Sequence, residues 1–263
     1  NKIMATSKFF TVTVKPTIAA SAQHAAFSNN DLLFDWTAFE IPKGSAKLVN
    51  ATVLVRPKGD SQPTANDNAI GLVFSSSNTQ SLGSANGAVT NIPSNDFLGT
   101  VEFAASSYTP TSFNSTVVGT LGRGTGDTEI PMAPLVLTPN VNALSTTTPG
   151  YDTLYIGGFC ADANTDFTSI NAIAEDTDAE HANSQVITMD GTSMDVREHF
   201  IAGDVVHIGT SVGTPAADSL IGTVASADSA TQITLEAVSP TALVDGDTLY
   251  NIHPIRIILQ FER

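Results

Sequence analysis

Cysteine is nearly absent from this sequence. Cys160 is the only one among 263 residues, so no disulfide can form within the chain and no cysteine-based metal cluster can be built. It lies in the apolar run 154–161, which predicts a buried structural thiol. A nucleophilic role would need a histidine partner and an activating environment, and the sequence indicates neither.

Charged residues are also scarce, and positive ones most of all. They make up 14% of the chain, with 11 Lys and Arg against 26 Asp and Glu, and the formal net charge is −15. A phosphate backbone or an anionic membrane surface would be repelled, so we expect no nucleic-acid partner and no membrane partner. The surface must be built largely from Ser, Thr, Asn and Gly.

Long apolar stretches are missing as well. No run approaches the roughly 20 residues that a membrane span needs, and residues 1–15 contain no apolar signal core. We therefore expect no signal peptide and no transmembrane segment. Hydrophobic residues still reach 41%, so a sizeable core is expected and global disorder is not.

Short β-strands are what the sequence has in abundance. The clearest is 253–263, where the odd-numbered residues from Ile255 to Phe261 are apolar, a period of two that predicts a buried face. Similar segments, such as 9–14, 46–56 and 151–161, are separated by Gly, Pro and Asn turns. Helical patterns are scarce, and the one weak candidate is 169–183. The pattern predicts an all-β fold, either a sandwich or a barrel.

Five closely spaced strands between residues 185 and 252 predict a small β-barrel module. The strand at 151–161 precedes this module and the strand at 253–263 follows it, and we predict that these two lie beside each other in one sheet system. The predicted domains are a jelly-roll-like β-sandwich, residues 1–170 plus 253–263, and an inserted β-barrel module, residues 171–252. In the alternative, two domains follow in series and the last strand closes the small barrel.

The sequence offers no catalytic, cofactor-binding or metal-ligating residues. The five histidines lack metal-site spacings, and the glycines of Gly122–Gly126 are not followed by a helical pattern. Asp162–Asp166 begins like a calcium loop, but Phe167 stands where that loop needs Gly and Ile173 where it needs Glu. We expect a solvated turn there, and a protein that is not an enzyme and has no cofactor.

Three stretches resemble small β modules of tailed-phage virion proteins: Phe200–Ile208 with a Gly-Asp corner, Ile221–Leu235 with its Gly-Thr-Val and Ile-Thr-Leu strands, and Leu243–Tyr250 with a second Gly-Asp corner. The rest of the chain is acidic and rich in Ser, Thr and Asn. In composition and expected architecture it is similar to phage capsid decoration (cement) proteins.

This resemblance implies a structural virion protein without catalysis. It would bind the outer capsid surface, as a homotrimer, and its partners would be the major capsid protein and neighbouring copies of itself. Residues 1–15 would be an arm for strand addition. The alternative is a host-receptor or glycan-binding tail or fibre component that acts through loops 57–68 and 76–95. A third hypothesis, a β-sandwich hydrolase or lyase, ranks last. Calcium binding by Asp162–Asp166 stays open.

Overall fold

The computed structural model describes residues 8–58, 65–110, 115–121, 135–141, 144–167, 170–172, 184–189, 195–209, 219–241, 243 and 247–263. Strands dominate these residues. Ten of the strands are β1 (Phe9–Val14), β2 (Leu32–Pro42), β3 (Ala46–Val55), β4 (Ile70–Ser75), β5 (Phe97–Phe103), β6 (Tyr108–Pro110), β7 (Val117–Leu121), β8 (Leu135–Leu137), β9 (Tyr151–Cys160) and β16 (Ile255–Glu262). The other six are β10 (Ile170–Ala172), β11 (Val186–Thr188), β12 (Val205–Gly209), β13 (Ser219–Ala227), β14 (Gln232–Leu235) and β15 (Thr248–Asn251).

Helices are few and short in the described residues: α1 (Ala20–Gln23), α2 (Val196–His199) and two 3₁₀ turns, Ile92–Ser94 and Ala105–Ser107. None of the helices in these ranges has the length and hydrophobicity needed to cross a bilayer. The weak helix candidate at 169–183 lies mostly outside the described residues. Its described part, Ile170–Ala172, is a strand.

The strands form three antiparallel sheets. The first has the order β1-β16-β3-β7-β6, with β8 also beside β3, and the second has the order β2-β9-β4-β5. The third has the order β10-β15-β12-β13-β14-β11. The predicted all-β class is confirmed.

The first two sheets have the strand order of a jelly roll. The outermost strands of the chain pair with each other and the pairing then proceeds inwards: β1 with β16, β2 with β9, β3 with β7, and β4 with β5. As a result, the chain passes back and forth between two facing sheets. We refer to these two sheets together as the sandwich, and the predicted sandwich fold is confirmed.

The last strand provides the centre of the sandwich core. Ile255, Ile257, Leu259 and Phe261 are all 0% exposed, as their alternation predicts. The Phe261 ring packs on Phe10 of β1 at 5.2 Å and on Phe39 of the opposite sheet at 6.3 Å between ring centroids. Full burial of each such side chain stabilises the fold by about 1.5–3 kcal/mol.

Glycines let large side chains lie flat on the second sheet. A Cβ at Gly158 would come within 2.1 Å of the Phe34 ring, and one at Gly157 within 2.2 Å of Leu82. Leu82 belongs to loop 76–95, and with Leu32, Val73 and the half-buried Trp36 it forms a small outer cluster on the sheet. The loop is therefore anchored by apolar burial as well as lying at the surface.

The last strand belongs to the sandwich and not to the third sheet. Ile257 pairs with Val14 of β1 on one side and with Val53 of β3 on the other. The third sheet has a separate buried cluster, which includes Phe200, Val206 and Leu249. The division into 1–170 plus 253–263 and 171–252 stays a prediction, and these pairings favour it over two domains in series.

The chain leaves the sandwich and returns to it at nearly the same place. The Asn66 side-chain amide donates to the carbonyl oxygens of Asp166 and Arg56, at 2.6 and 3.1 Å. The Arg56 backbone N–H in turn donates to the carbonyl of Pro254, at 2.9 Å. Closely spaced ends are what an inserted segment requires.

Two details of the sequence prediction are wrong, and a third observation bears on the predicted domain boundary. β16 does not lie beside 151–161, because consecutive strands of a jelly roll fall in opposite sheets and β9 lies between β2 and β4. The third sheet is not a closed barrel, because β10 and β11 stay at its two ends among the described strands. The strand β10, which begins at Ile170, pairs with β15, so the predicted boundary after residue 170 cuts a strand of the third sheet.

The N-terminal arm needs a correction as well. Phe9–Val14 of the proposed arm 1–15 is β1, which is paired along its length with β16 and places Val14 in the core. These residues are an integral edge strand of the sandwich. Residues 1–7 lie outside the described range.

Candidate functional site

A groove of about 620 Å³ lies at one edge of the sandwich. It lies between β1 and β2, which are edge strands of the first and second sheets. Its lining includes Phe10, Val12, Phe39, Pro42 and Tyr151. The jelly roll creates this groove, because β1 and β2 are consecutive in sequence and end up at the same open side of the two sheets.

Apolar side chains form about half of the groove wall. Phe10 and Val12 are half-buried and pack against the core, and the Tyr151 ring is 37% exposed. Phe9, on the opposite face of β1 from Phe10, is 57% exposed. Exposed aromatic rings beside a groove are typical of surfaces that bind other polypeptides.

Glu40 is the one carboxylate among the residues that line the groove. It accepts hydrogen bonds from the hydroxyl groups of Ser145, Thr147 and Thr148. These donors lower the pKa of Glu40 below its usual value, so the groove carries a fixed negative charge at neutral pH. The Thr- and Pro-containing loop 145–150 places the hydroxyls, since Ser145 Oγ also accepts from the backbone N–H of Thr147 and Thr148.

Cys160 is buried, as predicted, with 0% exposure. Its sulfur lies 3.2 Å from the Thr165 hydroxyl and 3.8 Å from the carbonyl oxygen of Phe27. These contacts are those of a thiol packed in the core.

The acidic turn at Asp162–Asp166 is held by local hydrogen bonds. Asp162 Oδ1 accepts from the N–H of Ala163, Asn164 has φ of 75°, and the N–H of Asp166 donates to Asn66 Oδ1. Within the described ranges there is no group of three or more His, Cys, Asp or Glu that could hold a metal ion. A calcium loop would extend to Ile173, which lies outside those ranges, so calcium binding stays open.

A second cluster, which the sequence did not predict as a site, joins the sandwich to the third sheet. We call Arg56, Glu198, His199, Asp204 and Asn251 the polar junction. The Arg56 guanidinium donates to the Glu198 carbonyl at 3.0 Å and lies 3.7 Å from the Asp204 carboxylate. Asn251 donates to that carboxylate at 3.0 Å and to the carbonyl of His199 at 2.6 Å.

Burial dominates the electrostatics of this junction. The His199 side chain is 2% exposed, and burial together with nearby Arg56 lowers its pKa to about 3. Burial also lowers the pKa of Arg56, against the raising effect of Asp204. A Gly-Asp corner is a sequence signal for a turn in which the Asp side chain bonds its own backbone, and Asp204 Oδ2 accepts from the N–H of Ile201 at 3.0 Å.

One Gly-x-Ser-x-Gly spacing occurs, at residues 209–213. Gly209 ends β12, and the antiparallel neighbour β13 begins at Ser219; the residues between them lie outside the described ranges. A nucleophile elbow requires a strand, a sharp turn and a helix. The residues that would decide this context lie outside the described ranges, so the structure assigns no role to the motif.

The predicted glycan-binding loops are described unequally. Of loop 57–68, the structure describes 57–58 and 65–68. In loop 76–95, Leu82 is 1% exposed and the Trp36 indole donates to the Gln80 carbonyl at 2.9 Å. Trp36 therefore anchors the loop by packing and by a hydrogen bond.

The groove combines an edge strand, apolar walls and one ionised carboxylate. Such features are typical of surfaces that bind other polypeptides. Comparisons of the chain with protein-family models and with curated proteins find no match.

Proposed function

We propose that this chain is a structural virion protein of a tailed phage: a capsid decoration protein that binds the outer surface of the shell and stabilises it without catalysis. The observation that carries the proposal is the jelly-roll strand order of the sandwich. Jelly rolls are the architecture of many viral capsid and lectin domains. Such a fold provides a rigid block whose edges and loops are available for assembly contacts.

The charge of the chain restricts where in a virion it would sit. A net charge of −15 would be repelled by packaged DNA, so an inner surface is unfavourable and an outer surface is favoured. Exposed side chains that are mostly uncharged and polar suit contacts made in large numbers, because few ions must be desolvated at each contact.

The proposed partners are the major capsid protein and neighbouring copies of this chain, with a homotrimer as the proposed assembly. Bracing requires that each copy bury enough surface to hold adjacent shell subunits together, which is on the order of 1,200–2,000 Å² for a stable contact. The groove between β1 and β2 is the site we assign to the shell contact, since its apolar walls and edge strand suit strand addition.

The test is whether the protein occupies the shell. Purified virions of the phage that encodes this chain would be analysed by quantitative mass spectrometry, and heads that lack the protein would be incubated with it and sedimented. We expect a copy number that saturates at a fixed ratio to the major capsid protein and heads that resist heating better. Absence from the head, or binding that never saturates, would contradict the proposal.

The second candidate is a host-receptor or glycan-binding tail or fibre component. The jelly roll favours it to the extent that lectin domains share the fold. The described part of loop 76–95 argues against this candidate. There Trp36 packs on the outer cluster with Leu82 and Val73 and anchors the loop. A glycan array separates the two candidates, because the decoration proposal expects no bound glycan and a tail component expects specific binding.

A further inference from the structure

We infer that the groove between β1 and β2 binds an extended strand of a different polypeptide, which adds to the free edge of β1 and places a Lys or Arg against Glu40. The inference rests on the proposed function only for the source of that strand, which would be the shell protein. The groove itself supplies three separate constraints on the occupant: backbone hydrogen bonding, apolar side chains and charge.

The backbone of β1 determines the first constraint. The carbonyl of Lys8 accepts from the N–H of Arg263 at 2.9 Å, one position beyond the paired residues Phe9 and Glu262. Hydrogen-bonded and non-hydrogen-bonded pairs alternate along an antiparallel ladder. The backbone groups of every second residue from Phe10 to Val14 therefore face β16, and those of Thr11 and Thr13 point away from it.

Thr11 and Thr13 thus present an unpaired strand edge to the groove. Among the described residues, neither has a backbone hydrogen bond on that side, and both line the groove. Their side chains are exposed, so no covering element blocks the approach within the described ranges. A row of unpaired N–H and C=O groups of this kind is a template for a further strand.

The apolar walls determine the second constraint. Phe10 and Val12 project from β1 towards the core, and Phe39, Pro42 and Tyr151 also line the groove. A strand that pairs with β1 sends every second side chain into this space. Those side chains must be apolar in order to replace the water that now contacts the rings.

Glu40 determines the third constraint. Its carboxylate is held by three hydroxyl donors and stays ionised, so an acidic side chain opposite it would be repelled and a basic one attracted. The hydrogen bonds fix the position of the Glu40 carboxylate, and its lowered pKa means that it is ionised at neutral pH. The occupant therefore carries a Lys or Arg among its inward-facing residues.

A second copy of β1 fits these constraints poorly. Lys8 and Lys15 stand at the two ends of β1, so an antiparallel pair of β1 strands in full register would place lysine opposite lysine. Lysines on an edge strand are a common device against self-pairing. The occupant is therefore a strand from a different protein.

The probes are two synthetic peptides of about seven residues, long enough to span β1 at ~3.3 Å per residue. Both alternate Thr and Val, and their central inward residue is Lys in one and Glu in the other. Binding to the full chain would be measured by isothermal titration calorimetry. We expect the Lys peptide to bind roughly fivefold more tightly than the Glu peptide.

Two changes separate the contribution of the Glu40 charge to peptide binding from that of backbone pairing with β1. Glu40→Gln should bring the affinity ratio of the two peptides close to one, and Glu102→Gln on β5, at the opposite edge of the second sheet, should leave the ratio unchanged. A Lys peptide N-methylated at alternate residues should lose binding, because it cannot donate to the Thr11 and Thr13 carbonyls. This last probe leaves the protein unaltered, so misfolding cannot explain the result.

Equal affinities of the Lys and Glu peptides for the unaltered chain would overturn the inference. So would undiminished binding of the N-methylated peptide, or no binding of either parent peptide. The virion assay is independent of these results. If the peptides bind as expected and the protein is absent from heads, the groove inference stands and the decoration proposal fails. If the protein saturates heads and neither peptide binds, the decoration proposal stands and the groove inference fails.

Discussion

The sandwich and the third sheet bury their side chains in different ways. The sandwich core has 30 buried residues from the two facing sheets and the segments that connect them, including seven Phe, whereas the buried cluster of the third sheet has 12, with Phe200 as its only aromatic residue. Both counts refer to the described residues. Stability rises with the apolar area buried, so the sandwich should be the more stable of the two.

The contacts between the sandwich and the third sheet are polar, whereas both cores are apolar. The polar junction consists of a buried guanidinium, a carboxylate, an amide and backbone carbonyls, and next to it the N–H of Ile18 donates to the Ile252 carbonyl at 2.8 Å. Hydrogen bonds between buried polar groups fix geometry, because each bond constrains the positions of both partners. The comparison therefore indicates a self-sufficient sandwich that orients a smaller, dependent sheet.

Deletion of residues 8–15 should have the largest effect. It removes β1, exposes the β16 edge and takes Phe10, Val12 and Val14 from the core, so we expect the sandwich to unfold. Emission from Trp36, the only tryptophan, reports this directly. Deletion of 186–188, the edge strand β11 of the third sheet, is the matched control and should leave Trp36 emission unchanged. Equal loss of the Trp36 signal in both deletions would contradict the view that the sandwich does not depend on the third sheet.

Truncation of one buried ring in each region measures the stabilities of the sandwich and the third sheet separately. Phe261→Ala and Phe200→Ala each leave a large cavity and should cost about 3–5 kcal/mol of unfolding free energy in their own region. We expect the urea midpoint of Trp36 emission to fall sharply in the first variant and little in the second. Hydrogen exchange of β12 and β13 should show the reverse order.

A substitution in the polar junction should have a smaller effect on the free energy of unfolding. Arg56→Met removes the donor to the Glu198 carbonyl and the partner of Asp204, and a lost buried hydrogen bond costs about 1–3 kcal/mol. Faster amide exchange should be confined to α2 and the third sheet. Lys43→Met, on an exposed turn, is the control. Faster exchange in β3 and β16 would show that the junction stabilises the sandwich as well.

The pH dependence of the junction comes from His199. Its pKa is lowered to about 3 in the folded chain, against an ordinary value near 6.5, so the unfolded chain binds the extra proton first as pH falls. Stability should be constant above about pH 6.5 and fall by roughly 1.4 kcal/mol per pH unit below it, in whichever region unfolds with His199.

Denaturation of the third sheet at several pH values between 7 and 5 would check this dependence. His199→Gln should flatten the slope, and His253→Gln, which removes a half-buried histidine with a smaller lowering of its pKa, should flatten it less. Identical slopes in the unaltered chain and in His199→Gln would contradict the assignment.

The strands with a simple alternation were predictable from the sequence, and their partners were not. β9 and β16 are regular, but β2 shifts register near Phe34 and Thr37, which interrupts the alternation in the sequence. Which sheet a strand joins depends on contacts far along the chain, so the placement of β16 beside β9 failed. The groove had no local signal, because Glu40 and Ser145 are 105 residues apart.

The central claim is that the sandwich is complete without the third sheet. Residues 168–252 would be replaced by a short Gly/Ser linker, since the Asn66 side chain bonds both Asp166 and Arg56, and Arg56 bonds Pro254. Hydrogen exchange of this variant is the direct measurement. We predict that β3 and β16 keep slowly exchanging amides and that Trp36 unfolds cooperatively in urea. Fast exchange throughout β3 and β16 would contradict the claim.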